Sequence, residues 1–152
     1  RQKRIGKGNK EFEMIKFRTM KDAVDKNGNQ LPDELRMTKL GKTLRSLSLD
    51  ELPELINILK GDMSLIGPRP VVPQEVALIQ LREKSGANSV KPGLTGLAQV
   101  NGRKQLNNIE KAKFDAMYAD HVTFKADILI VLRTLPIIIE RDGVRKFFKK
   151  RY

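Results

Sequence analysis

The stretch from Leu44 to Pro70 constrains this 152-residue chain more than any other. Leu52, Leu55, Ile56 and Leu59 stand at i, i+3, i+4 and i+7, the spacing of one buried helix face. Ser48 and Glu51 have the Ser-x-x-Glu spacing of a capping box, and Gly61 stands where a left-handed residue ends a helix. Pro53 has no N–H, so it belongs among the first residues, whose amides lack intrahelical partners in any case. That pulls the helix start towards Leu49 or Asp50 and competes with Ser48 as the cap. In either register Asp50 and Glu51 sit in or beside the first turn.

Adjacent carboxylates at such a place have a chemical meaning. The positive end of the helix dipole favours an ionised carboxylate, while crowding by a like charge raises one member of the pair. One group held ionised and one able to carry a proton suit covalent phosphoryl transfer with acid–base help. Acidic residues in a first turn also serve as ordinary caps. Arg45 lies five residues before Asp50, and Gly67-Pro68-Arg69-Pro70 follows the helix as a rigid turn bearing one guanidinium.

A hydrophobic fraction of 39%, with 11 glycines besides, is that of one globular domain long enough to bury a core. Cysteine is absent, which excludes disulfides, a thiolate nucleophile and a Cys-based zinc site, and fits a cytoplasmic setting. His121 is the single histidine, so neither a multi-His metal site nor a Ser-His-Asp triad is expected. The sequence shows no signal-peptide pattern and no run of 18 apolar residues, so no membrane span is expected within it.

The net charge of +12 is unevenly placed. Residues 1–18 carry seven Lys/Arg against Glu11 and Glu13, a net +5, and residues 141–152 carry six against Asp142, again +5. Residues 19–140 are left with only +2. Basic ends on a nearly neutral body suit an anionic lipid surface, at about 1 kcal/mol per close basic residue. Nucleic acid would attract the same charge, and simple solvation is the third reading.

Loose alternation predicts a short strand over Glu11–Met20, and Asp25 to Asn29 reads as a turn around Asn27-Gly28. Pro32-Asp33-Glu34 opens a helix to about Ser46, with Met37, Leu40, Leu44 and Leu47 inward. Another helix runs from Pro73 to about Lys84, with Val76, Leu78, Ile79 and Leu81 available for packing. Asn88 to Arg103 is irregular or short-stranded, and its scattered glycines do not form a Walker loop. Gln99, Asn101 and Arg103 are polar groups there, suited to a nucleotide or sugar or equally to capping turns. Asn108 caps a helix to about Asp120, with Phe114, Met117 and Tyr118 as core candidates. The apolar run Ile128–Ile139, interrupted by Arg133 and Pro136, is too short to span a bilayer. It reads as a buried core helix or as an interfacial helix assisted by Phe147, Phe148 and the basic tail.

The run from Arg45 to Pro70 resembles the signature of bacterial sugar transferases of the small monotopic phosphoglycosyl transferase family. Lys16-Phe17-Arg18-Thr19-Met20, the segment Lys91-Pro92-Gly93-Leu94-Thr95-Gly96-Leu97-Ala98-Gln99-Val100-Asn101-Gly102-Arg103 and the segment Tyr118 to Asp127 extend the resemblance from about Gly6 to Gly143. It implies an α+β, mostly helical single catalytic domain over 1–152, with a small β-hairpin or short sheet and interfacial amphipathic helices. The family's N-terminal re-entrant membrane helix is expected to be absent before Arg1. The implied reaction moves a sugar 1-phosphate from a nucleoside diphosphate sugar, a UDP-sugar, to polyprenyl phosphate. UMP is released, in the first membrane step of surface glycan synthesis at the cytoplasmic face of the plasma membrane.

By resemblance, Asp50 is the nucleophile that forms a phospho-aspartate and contacts Mg²⁺, and Glu51 is its acid–base or metal-assisting partner. Lys16, Arg45 and Arg69 are implied phosphate contacts, Gln99 and Arg103 belong to a structured loop near the substrate, and Asp127 matches a functional aspartate. The expected partners are the nucleotide sugar, polyprenyl phosphate and an anionic membrane surface. The rival readings are a basic nucleic-acid-binding module and a non-catalytic membrane-surface module. The first is disfavoured by the lack of Trp and the presence of only two Tyr for base stacking. No nucleic-acid partner is expected.

Overall fold

The computed structural model describes residues 1–102 and 105–139. Two strands, β1 (Gln2–Ile5) and β2 (Glu11–Met14), pair antiparallel across a turn at Lys7–Asn9. The loop at Asp25–Asn29 turns as its sequence requires: Gly28 is left-handed, and Asp25 Oδ1 accepts from the amides of Asn27 and Asn29. Two short helices follow, α1 (Asp33–Arg36) and α2 (Lys39–Leu47), where one continuous helix is expected. The break is local. Met37 is extended, and Thr38 caps α2 by accepting from the Gly41 amide at 2.8 Å.

The chain then reverses at Ser48, a non-glycine residue at φ 58°, into a single 3-10 turn at Leu49–Glu51. Helix α3 (Glu54–Lys60) begins after Pro53 and ends at left-handed Gly61, as the glycine predicts. The Ser48–Glu51 capping box does not form, because Ser48 closes α2 and makes no side-chain cap bond. Asp50 and Glu51 thus lie upstream of α3 and not in its first turn. The larger correction concerns its faces. Leu52, Leu55, Ile56 and Leu59 are all exposed, Leu59 at 88%, while Glu54 and Asn57 are the buried residues.

Asn57 explains this inversion. Its amide donates to the Glu13 carbonyl at 2.8 Å and its Oδ1 accepts from the Ile15 amide at 3.0 Å, so the polar face of α3 closes on the end of β2. A buried side chain satisfied by backbone groups outcompetes the apolar stripe for that position.

Beyond α3, β3 (Ser64–Ile66) runs parallel to β4 (Gly93–Thr95), and α5 (Leu97–Val100) follows directly. Gly67 and Gly93 allow this joint. A Cβ on Gly67 would strike the Lys91 carbonyl oxygen, and one on Gly93 would strike the Gly67 nitrogen. The Gly67 amide donates to the Thr95 carbonyl, and the Gly93 amide to the Pro68 carbonyl, each at 2.9 Å. The two turn-rich sequence motifs are therefore one structural unit.

Helices α4 (Val76–Lys84) and α6 (Asn108–Asp120) pack together over a core that includes Val71, Leu78 and Ala112. Asn107, one residue earlier than expected, caps α6 in a reciprocal box with Glu110. A second cluster joins Ile66, Tyr118 and Ile130, the last from α7 (Phe124–Ile139). Of the expected inward residues, Leu40, Val76 and Met117 are exposed. Helix α7 is not a buried core helix. Ile130 is buried, but Phe124, Ile128, Leu129, Val131, Leu132 and Leu135 face outward. No helix among the described residues is long and apolar enough to cross a membrane. The molecule is an α+β, mostly helical fold. Phe147, Phe148 and the basic tail lie outside the described residues.

Candidate active site

The hairpin, the 3-10 turn and the turn after β3 converge on one polar cavity of about 740 Å³. Arg4 comes from β1, Lys16 to Met20 from the segment after β2, Arg36 from α1, Arg45 from α2, Asp50 and Glu51 from the 3-10 turn, and Arg69 from the Gly-Pro-Arg-Pro turn. Residues far apart in sequence reach this place through few contacts. The Phe17 amide donates to the Asp50 carbonyl at 3.1 Å, tying the Lys16–Met20 strip to the acidic turn. The Thr38 amide and hydroxyl both donate to the Thr19 carbonyl, holding the other end of that strip against α2.

The two carboxylates of the turn and Glu54 at the start of α3 have different surroundings. Lys16 Nζ lies 3.1 Å from Glu51 Oε1 and 2.9 Å from Glu54 Oε1, with all three side chains largely withdrawn from solvent. Arg69 approaches Glu51 at 3.7 Å. Burial pushes the Glu54 carboxyl above its ordinary value, and Lys16 only partly opposes that shift. Asp50 differs from both. Among the described residues its carboxylate makes no hydrogen bond or ion pair, and it borders the cavity.

Like charges also gather on this cavity. Arg4 is held below its ordinary pKa by burial and by Arg69, a destabilising approach of guanidinium to guanidinium. Arg45 is exposed, and its closest polar contact is the Met20 sulfur at 3.8 Å. A concave surface carrying several cations and a carboxylate without a cationic partner among the described residues is suited to hold a phosphate chain beside a nucleophile.

The structure brings together Lys16, Arg45, Asp50, Glu51 and Arg69 from the sequence-derived set. Gln99 lines a second, apolar cavity of about 280 Å³ that also touches Glu51 and Arg69. Asp127 lies apart, in the first turn of α7, where its Oδ1 accepts from the Tyr118 hydroxyl at 2.8 Å. It lines neither cavity. Arg103 lies outside the described residues.

Several residues escaped the sequence reading. Glu54 shares Lys16 with Glu51, and Arg4 adds a cation from β1. Arg82, buried, donates from Nη1 to the Arg69 carbonyl at 3.0 Å and pairs with Asp115 at 2.7 Å. Burial raises the Asp115 carboxyl, and Arg82 opposes it. Charged residues inside α4 and α6 were the available signal for Arg82 and Asp115, since such side chains are seldom fully buried unless paired.

The comparisons with known proteins agree with this assembly. Residues 1–141 match the family model of bacterial sugar transferases. The sugar transferase EpsL of Bacillus subtilis is 42% identical over 96% of this chain and 72% of its own length. The exopolysaccharide production protein ExoY of Sinorhizobium fredii is 37% identical, over 93% of this chain and 70% of its own length. An undecaprenyl-phosphate galactose phosphotransferase of Salmonella typhimurium is 36% identical over 92% of this chain, which spans 33% of that longer protein. With nearly its whole length inside that match, and residues 16–20, Arg45, Asp50, Glu51 and Arg69 gathered on one polar cavity, the chain belongs to the bacterial sugar transferase family of enzymes.

Proposed function

We propose that this protein transfers a sugar 1-phosphate from a UDP-sugar to polyprenyl phosphate through a covalent intermediate on Asp50. The observation that carries this reading is the position of the Asp50 carboxylate, on a cationic cavity and without an ion-pair partner among the described residues. Relatives named as undecaprenyl-phosphate sugar phosphotransferases, one of them acting with UDP-N-acetylgalactosamine, supply the donor and acceptor classes.

In the first half-reaction an Asp50 carboxylate oxygen attacks the phosphorus bearing the sugar. The bond from that phosphorus to the UMP oxygen breaks, and UMP leaves with the electron pair. In the second half-reaction a phosphate oxygen of the lipid attacks the same phosphorus, and the Asp50 carboxylate is restored. Lys16 and Arg69 fix Glu51 beside Asp50, where it acts as the acid–base partner. Arg69, Arg45 and Lys16 hold phosphate oxygens and offset the charge that develops.

Mg²⁺ belongs to the proposal. No group of three metal-ligating side chains occurs among the described residues, and Mg²⁺ commonly takes one or two carboxylates with substrate phosphates and water completing its shell. Asp50, with Glu51 next to it, fits that requirement, and the bound ion would neutralise diphosphate charge. The exposed apolar residues of α3 and α7 support a reaction at a membrane surface, its cytoplasmic face in this reading.

The test is UMP release from a panel of UDP-sugars with Mg²⁺ and undecaprenyl phosphate in mixed micelles. At least one donor should release UMP continuously when the lipid phosphate is present, and at most about one equivalent per enzyme without it. Absence of UMP with every donor would overturn the reading.

A further inference from the structure

We propose that the 280 Å³ apolar cavity seats the phosphate-proximal isoprene units of the acceptor lipid, with its phosphate crossing to the polar cavity between Glu51 and Arg69. The inference rests on the reading that the acceptor is a polyprenyl phosphate. Four observations support it. The two cavities share Glu51 and Arg69 in their linings, so one ligand with an anionic head and an apolar tail can occupy both. The apolar cavity is walled by Leu52 and Leu55 at one side, Leu94 and Val100 at another, and Ile137 and Ile138 of α7.

Its rim continues into open apolar surface, since Leu49 of the 3-10 turn, Leu52 after it and Leu55 of α3 are exposed, as is Leu135 on α7. A chain leaving the cavity would remain on apolar ground, which favours a long hydrocarbon over a compact ligand. Finally, Ser48 Oγ is buried without a hydrogen-bond partner among the described residues, although Ser48 lines the cavity two residues before Asp50. A buried hydroxyl in that condition points to a missing acceptor, and the ester oxygen joining isoprenoid to phosphate is one.

The volume has a consequence. A cavity this small holds only the head-proximal part of a long prenol, so the remaining chain contributes through the outer apolar surface and not through this pocket. Selection should therefore depend on the first isoprene units and on the phosphate, and little on total length.

The test uses the whole chain with farnesyl phosphate carrying a diazirine on its terminal isoprene unit. After photolysis, mass spectrometry should place the label on Leu94, Val100 or the Thr134–Ile138 segment. Undecaprenyl phosphate should compete, and farnesol, which lacks the anion, should compete poorly. Label confined to outer apolar residues such as Leu59 or Phe124, or displaced equally by farnesol, would overturn the seat and leave non-specific apolar contact only.

Two cavity-filling variants, Val100→Phe and Leu94→Phe, give an independent readout. Each should raise the acceptor KM roughly tenfold, about the effect of two methylenes losing their apolar contact, with donor KM little changed. Equal rises in both KM values in both variants would overturn the assignment. UMP release without cavity labelling would reject the seat and spare the transferase reading. Cavity labelling with no UMP from any donor would support the seat and reject that reading.

Discussion

Asp50, Glu51 and Glu54 lie within five residues, yet their surroundings give them separate work. Lys16 reaches both glutamates, and Arg69 approaches Glu51, so neither is placed like Asp50. If Asp50 is the nucleophile, Asp50→Asn should abolish the covalent sugar-phosphate adduct, because an amide oxygen is a poor nucleophile. Intact-mass measurement after incubation with donor and Mg²⁺ should show the adduct in the parent alone, and equal labelling of the variant would sink the assignment. Glu54 makes a different prediction. Its carboxyl is raised above the ordinary 4.5, chiefly by burial, so the native state keeps that proton to higher pH than the unfolded chain does. In the window from 4.5 up to the raised value the native state binds more protons, and this contribution to stability falls as pH rises. Glu54→Gln removes the titration. The variant's unfolding free energy minus the parent's should therefore grow as pH climbs from about 4 towards about 7, whatever constant offset the lost Lys16 contact adds. Urea unfolding at several pH values measures it, and a flat or shrinking difference would count against the burial argument.

At the scale of elements, the helix over 54–60 and its glycine stop were legible in the sequence, and its orientation was not. Periodicity identifies a stripe, but not what covers it. Here the side covered by the protein is the polar one, since Asn57 satisfies two backbone groups of the Glu13–Ile15 segment. The acidic pair and the Gly-Pro-Arg-Pro turn were also legible, because motif spacing carried them. Their mutual placement depends on contacts between distant segments, such as the Phe17 amide on the Asp50 carbonyl, and no local pattern records those. Arg82 belongs to the same class. It anchors the Arg69 carbonyl and is neutralised by Asp115, both side chains being almost fully buried. Arg82→Leu should cost about 3–5 kcal/mol, since it strands a buried carboxylate. Pairing it with Asp115→Leu should recover most of that loss, as apolar replacement of a buried ion pair is often neutral. The double variant should nevertheless keep a reduced kcat, because the Arg69 backbone has lost its anchor while donor KM moves less. Chemical denaturation and UMP-release kinetics on the single and double variants separate these effects. Full recovery of both stability and kcat would show that Arg82 has no positioning role.

The whole molecule combines a polar cavity with outward apolar residues on α3 and α7, and the two helices meet at the apolar cavity between them. Sequence charge adds a second asymmetry, with +5 in residues 1–18 and +5 in residues 141–152. Attachment to a membrane surface should then have two separable parts. The electrostatic part, about 1 kcal/mol for each basic residue close to anionic lipid, should fade as salt shortens the screening length from about 10 Å at 0.1 M to about 3 Å at 1 M. The apolar part should persist at high salt. Leu55→Glu with Leu59→Glu should remove much of that remainder while changing folding stability little, because Leu55 is 44% and Leu59 88% exposed. Surface substitutions usually stay within about 0.5 kcal/mol, whereas truncation of a buried leucine costs about 2–5 kcal/mol. Sedimentation with neutral and anionic vesicles across a salt series, together with urea unfolding of the same proteins, measures both quantities. The parent should bind anionic vesicles more tightly at low salt and retain a salt-resistant fraction that the double variant lacks. Equal binding to neutral and anionic vesicles at low salt would remove the basic ends from the interaction. Unchanged high-salt binding by a stable double variant would remove the α3 face.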